Sequence, residues 1–307
     1  MRKLTLLWLL AVGSVLSAET TSFDHVKIHR HRSPEKRVLI DKTGVLSFDD
    51  TARTLSFSSS AGDRFEIAYD DVTKVVFDVT THMRGGALSQ VVSAAGFPGA
   101  VAGTMIAAKH VNDYWLFLEY KTRQDRQSTL LEIPKDSSTQ VIDRVNNLFG
   151  ARAKVADFPE KGASVRKEDL PAHKSKQSIK VDHESHPLPE IKPDQATLVV
   201  VCPPLAARFS GKGNQVKLHA NDQVVAVNRM GTYSVAYLNP GKYHLVSQAE
   251  NANGFDMELE AGQQYYFLQN IFQGSFKYET ALSRNSPELV MYLLEGSYHA
   301  VWKDKNK

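Results

Sequence analysis

Short stretches of alternating apolar and polar residues, each closed by Asp, Gly, Ser, Asn or Pro, recur along most of this chain. Alternation with a period of two puts every second side chain on one face of a strand, and turn residues at both ends stop it. The pattern commits the chain to sheets, with helices only where a longer period intervenes. In the first half the runs are Gly44 to Phe48, Thr54 to Ser58, Arg64 to Tyr69, Thr73 to Val79, Tyr114 to Tyr120 and Thr129 to Ile133. In the second half they are Thr197 to Cys202, Gln215 to His219, Gln223 to Val227, Tyr233 to Leu238, Tyr243 to Gln248, Asp256 to Leu259, Gln264 to Gln269 and Phe276 to Leu282. Turns such as "HAND", "NPGK" and "AGQ" separate the later ones at the close spacing of a β-sandwich.

Two helices interrupt the strands. Val141, Val145 and Leu148 share a helical face, with Asp136, Ser137 or Ser138 as cap and Gly150 as terminator. Ser286 caps a second, Pro287 opens it, and Gly296 ends it after Leu294.

Residues 1 to 18 read as a cleavable export signal: Arg2 and Lys3, an apolar run from Leu4 to Leu16, then Ser17 and Ala18 before Glu19. The run is shorter than the roughly 20 residues of a spanning helix. The one cysteine, Cys202, is far from the cleavage point, so no lipoprotein anchor is expected, and no internal disulfide can form. The expected location is the periplasm or cell envelope of a bacterium. Without Arg2 and Lys3, 35 basic residues face 34 acidic ones, a formal +1 that implies no nucleic-acid partner. Residues 19 to 36 read as a flexible basic arm. Its His25, His29 and His31 have a spacing that can grip a metal or, protonated, an anionic surface, but a solvated arm is the expectation and no metal or cofactor is assigned.

Residues 37 to 150 form the first expected domain. Its "GVLSFDD", "IAYDDVTKVVF" and closing helix resemble the pleckstrin-homology-like and GRAM-like split barrels, which implies a curled sheet plugged by a helix and a capacity to dock to membranes or proteins. An insertion at 85–108 departs from that pattern: it has no charged residue in 24 positions, five glycines and seven alanines. Ala95, Gly99, Gly103 and Ala107 recur every four residues, so a helix would align them where a membrane or partner helix can approach closely. Pro98 and Gly96 break the segment, predicting a helical hairpin of two short helices.

From 151 to 195 the composition changes to nine Lys or Arg, eight Asp or Glu, five prolines and one aromatic, Phe158, which reads as a charged, extended linker. Its "HESH", with His183 and His186, lacks the spacing of a zinc-protease helix, and His173 stands apart. Residues 196 to 299 form the second domain, an Ig-like or transthyretin-like β-sandwich, before a polar tail at 300–307. "ATLVVVCPP", "VKLHANDQVVAVNRMGTYSVAYLNPGKYHL" and "MELEAGQQYYFLQN" resemble the domain of unknown function 2846 family of bacterial exported proteins. The resemblance implies an exported β-sandwich, although Cys202, Pro203 and Pro204 stand where relatives carry an arginine or tyrosine pair.

No nucleophile elbow or phosphate loop is present; "AARFSGK" has Ala206 where the loop needs glycine. Asp49 with Asp50, and Asp70 with Asp71, stand at strand ends where turn chemistry explains them. Cys202 reads as a buried strand cysteine. Tyr265 and Tyr266 place rings on opposite faces of a strand, so one of them can offer a stacking surface, against the plainer expectation of core packing. The whole is expected to act by binding, as an exported envelope-associated protein bridging a membrane or envelope partner and a second component. The competing expectation is a periplasmic hydrolase or carbohydrate-binding protein whose site forms only in the fold.

Overall fold

The computed structural model describes residues 20–31, 39–84, 109–123, 125–158, 160, 162–166, 169–170, 177–204, 215–273 and 278–304. Among these residues the protein is mainly β, with nineteen strands in three sheets and two α-helices.

The first sheet contains β1 (Thr20–His31), β2 (Leu39–Asp49), β3 (Thr54–Ser59), β4 (Arg64–Ala68), β5 (Val72–Arg84), β6 (Lys109–Lys121), β7 (Arg126–Ile133) and, after α1 (Lys135–Phe149), β8 (Ala153–Val155). Its order is β4-β3-β2-β1-β7-β6-β5-β8. Alternate residues supply one apolar face: Leu46 and Phe48, Leu55 and Phe57, Val75 and Phe77, Leu116 and Leu118. These residues from opposite ends of the sheet join a single core with Val141, Val145 and Phe149 of α1. A flat sheet cannot bring β3 and β5 together, so the sheet curls and α1 plugs it. Pro134, rather than Asp136, Ser137 or Ser138, precedes the first turn of α1, and Ser138 instead bonds back to the Lys135 carbonyl at 2.8 Å. Gly150, at φ +51°, ends the helix in a left-handed conformation.

Residues 20–31 of the expected arm are instead a core strand, β1. Phe23, Val26 and Ile28 of β1 are buried, and a bulge between Phe23 and Val26, where His25 takes φ +60°, shifts the phase of the alternation. That shift hides the period of two from a reading of the sequence. Glu132 of β7 clasps the strand, 2.8 Å from Lys27 Nζ and 3.2 Å from His29 Nε2.

The charged segment 151–195 is woven into every sheet. β8 pairs in parallel with β5; β9 (Ala163–Ser164) pairs with β16 (Ala252–Leu259); β10 (Gln177–Asp182) pairs with β19 (Tyr298–Asp304). The carbonyls of Pro187, Pro189 and Glu190 then accept hydrogen bonds from Tyr233 at 2.9 Å, Gln264 at 3.3 Å and Thr197 at 3.0 Å. This strap is held by its backbone, which leaves Leu188 and Ile191 61% and 63% exposed, so its composition still looks like that of a linker.

The remaining strands are β11 (Ala196–Cys202), β12 (Val216–Ala220), β13 (Gln223–Asn228), β14 (Thr232–Leu238), β15 (Gly241–Gln248), β17 (Gln264–Gln273) and β18 (Tyr278–Arg284). They complete a sheet of order β10-β19-β14-β11-β17-β18 facing one of order β13-β12-β15-β16-β9. Leu198 and Val200 meet Leu218, Leu245 and Phe255 between the two. Every residue of β11 is buried, because the sandwich covers one face and α2 (Pro287–Glu295) the other. A strand covered on both faces reads as the unbroken apolar run "ATLVVVC". β19 carries the domain through part of the expected polar tail.

Burial alone would raise the Glu132 carboxyl, but the hydrogen bonds from His29 and Lys27 outweigh it and hold it at about 2. A carboxyl held below its ordinary 4.5 stabilises the fold above that value and ceases to as pH falls toward 2. Glu132→Gln is therefore expected to flatten the acid loss of stability over that window in urea unfolding. An unchanged acid limb would show that the clasp is not formed.

Candidate functional site

Helix α2 lies between the two halves of the molecule. Leu289, Val290 and Leu293 fill a layer bounded by Val76, Trp115, Phe117 and Leu130 of the curled first sheet and by Val199, Val201 and Leu268 of the sandwich. Asp78 of β5, 3% exposed, fixes the start of this helix. One of its carboxyl oxygens accepts from the Ser286 amide and hydroxyl, both at 2.7 Å. The other accepts from the Val79 amide at 2.8 Å and Asn285 Nδ2 at 3.2 Å. Burial pushes the Asp78 carboxyl above its ordinary value, and these donors pull against that. Ser286 in turn caps α2 through the Leu289 amide. Tyr292 donates to the His29 carbonyl at 2.7 Å, and Lys74 meets Glu288 at 3.2 Å.

A groove of about 460 Å³ runs along this junction. Phe117, Met291 and Tyr292 line it with apolar surface, and charged groups stand around them. The charges mostly answer one another: Lys74 pairs with Glu288, Arg126 lies 3.7 Å from Glu119, and Thr73 donates to Glu119 at 2.9 Å. Burial raises the Glu295 carboxyl. Glu119 and Glu288 are thus held by donors, whereas Glu295 is shifted in the direction a proton donor needs.

A second cleft, of about 470 Å³, opens at one end of the sandwich between the β12–β13 and β14–β15 turns. Asn221, at φ +53°, is pinned on β15: its amide donates to the His244 carbonyl at 2.9 Å and its Oδ1 accepts from the His244 amide at 2.8 Å. Tyr243 donates to the Asn239 carbonyl at 3.0 Å, fixing the other turn. Lys192, on the strap, lies 3.8 Å from the centre of the Tyr237 ring. The sequence marked these turns, "HAND" and "NPGK", only as punctuation; no signal in it showed that they face one cleft.

Ala95, Gly99, Gly103 and Ala107 lie outside the described residues, as does His173. The strands that carry the insertion are described, and their register runs on to Arg84 opposite Lys109. β7 pairs with β6 only from Tyr114 onward, and β8 meets β5 only at Val75 to Phe77. Among the described residues the five pairs from Thr80↔Asp113 to Arg84↔Lys109 therefore have no third strand beside them and form a two-stranded arm rooted at the buried Thr80, roughly 16 Å long at about 3.3 Å per residue.

The tyrosine pair does not offer a row of open rings. Tyr265, 6% exposed, belongs to the sandwich core, and its oxygen accepts from the Glu260 amide at 2.9 Å. Tyr266 is half-buried against the α2 layer and donates to Gln264 at 2.7 Å. Cys202 is buried, and burial pushes its thiol up. His29 is 4% exposed beside Glu132, which removes it from any histidine cluster on an arm. His183 packs on the Tyr298 ring at 4.6 Å and His186 on the Tyr233 ring at 5.0 Å. Among the described residues no three His, Cys, Asp or Glu side chains are grouped to hold a metal. Asp49 accepts from the Ala52 amide at 2.8 Å, as a turn residue should, while Asp50 reaches Arg144 of α1 at 2.5 Å and Asp70 reaches Arg53 at 3.0 Å.

No family model matches the chain, and no curated protein matches it. Among the described residues no helix is long and apolar enough to cross a membrane.

Asp78→Asn is expected to cost about 2–3 kcal/mol in urea unfolding, because an amide nitrogen would face donors at one of the two oxygen positions. The same variant should expose the 151–195 segment to limited proteolysis. A loss below about 0.5 kcal/mol would show that the carboxylate is not what holds α2 in place.

Proposed function

We propose that this chain is an exported, envelope-associated interaction protein that meets a membrane, or a protein within it, through the apolar insertion 85–108, and presents its sandwich to a second component. The observation that carries the reading is the place of the insertion. Twenty-four uncharged residues are mounted at the end of a two-stranded arm, with Arg84 and Lys109 paired at their base. An uncharged stretch next to basic residues suits an anionic bilayer surface, where each Lys or Arg near the headgroups adds about 1 kcal/mol. The strands also give the insertion a direction. β1 and β6 both run antiparallel to β7, with Lys27 and Trp115 each opposite Glu132. The amino end of β1 and the arm therefore lie at the same end of the barrel.

The export signal read at residues 1–18, the split-barrel resemblance and the resemblance of the sandwich to an exported family agree with this location. The bridging is that of a rigid body. Asp78 and the α2 layer join the two halves directly, so the reach between partners is set by the fold rather than by a tether.

The test is flotation with vesicles of phosphatidylglycerol and phosphatidylethanolamine, comparing the full chain with a form lacking 86–107. The full chain is expected to float, increasingly with the phosphatidylglycerol fraction and less at high salt, while the deletion stays in solution with an unchanged far-ultraviolet spectrum. If both remain in solution, the insertion is not a lipid contact. The search then moves to an envelope protein that co-purifies with the full chain and is lost with the deletion.

A further inference from the structure

We infer that the cleft at the end of the sandwich binds a neutral, hydroxyl-rich ligand of one or two sugar rings. Its volume, about 470 Å³, falls within the roughly 300–1,000 Å³ of small-ligand sites. Its lining is unusual for such a site. Gln195, Asn221, Asp222, Gln223 and Asn239 supply four amides and one carboxylate, where most small-ligand pockets are predominantly apolar.

That composition decides the class of ligand. A lipid or other apolar molecule would leave these polar groups facing surface that cannot bond to them. No lysine, arginine or histidine is among the lining residues, and Lys192, outside them, is engaged on the Tyr237 ring, so the lining itself offers no cation to a phosphate or a carboxylate. A carboxamide carries donor and acceptor side by side, and a sugar hydroxyl needs both. Tyr237 and Tyr243 add the apolar element. An aromatic ring offers a flat surface to the C–H face of a pyranose; Lys192 stands over one face of Tyr237, and the Tyr243 hydroxyl is engaged on the Asn239 carbonyl, so it is the rings rather than their hydroxyls that serve here.

The cleft is also built before any ligand arrives. Asn221 is held at both its amide and its side-chain oxygen by His244, and the Tyr243 hydroxyl ties down Asn239. The strap contributes from the third side: Gln195 donates its amide to the Lys192 carbonyl at 3.3 Å and accepts from the Gly262 amide at 3.0 Å. Groups fixed in this way lose little freedom on binding, which favours affinity for a ligand with few contacts. The inference stands apart from the membrane reading, since the cleft and the arm share no residue.

The experiment is isothermal titration of the full chain with N,N′-diacetylchitobiose, cellobiose and maltose, alongside Gln223→Ala and Tyr237→Leu. Gln223 is exposed, and its backbone pairing with Ala220 does not depend on its side chain, so this variant keeps the fold if Tyr237→Leu does not. At least one disaccharide is expected to bind, and each variant to weaken it about tenfold. The form lacking 86–107 should bind as the full chain does. Failure of all three sugars to bind, or binding that neither variant alters, overturns the inference whatever the vesicle experiment shows.

Discussion

A carboxylate removed from water, Asp78, sets the geometry of this molecule. Moving such a group out of solvent costs several kcal/mol unless donors replace the lost hydration, and here four donors do. Two come from Ser286, at the start of α2, where the unpaired amides and the helix dipole both favour negative charge. The apolar layer around α2 supplies attraction, but burial is non-directional and would tolerate sliding. The Asp78 bonds have direction, and they determine how the sandwich sits on the barrel. β5 continues from Asp78 to Arg84, so the arm takes its orientation from the same anchor.

The sheets were legible wherever alternation was regular. β3, β5 and strands β11 to β18 of the sandwich fall close to where the pattern placed them, and α2 has the Ser286 cap and Gly296 stop that its sequence announces. Misreadings have local causes. β1 conceals its period behind a bulge at His25, and its buried residues are diluted by histidines and lysine. The segment 151–195 joins three sheets through main-chain pairing, to which composition is blind. Pro134 at the head of α1 leaves the serines and aspartate that follow it without a capping role.

Sites were less legible than strands, because a site is a meeting of residues distant in sequence. The Asp78 cluster joins positions 207 and 208 residues apart, and nothing in "FDVT" or "RNSPE" announces the partner. The two turns around the polar cleft look like ordinary connections until β12 and β15 pair and bring them together. The tyrosine pair follows the plainer of its two readings, core packing. Tyr265 and Tyr266 alternate as a strand requires, but each face of that strand is covered, one by the facing sheet and one by α2. The insertion was conspicuous for its composition alone; its mounting on an arm comes from the register of the flanking strands.

The pairing of β10 with β19 joins Gln177 to Asp304, with β11 to β18 lying between them in sequence. A chain that emerges from the ribosome amino end first has to keep β10 waiting until β19 has followed it. Only then can β19 enter between β10 and β14 and complete the second sheet. Contacts this distant close slowly, because the entropy of the loop is lost before the pairing repays it. The first sheet can form early, while the second stays incomplete until β19 has been made. Such an order makes β19 a keystone, and disruption of Tyr298–Asp304 more damaging than its polar residues suggest.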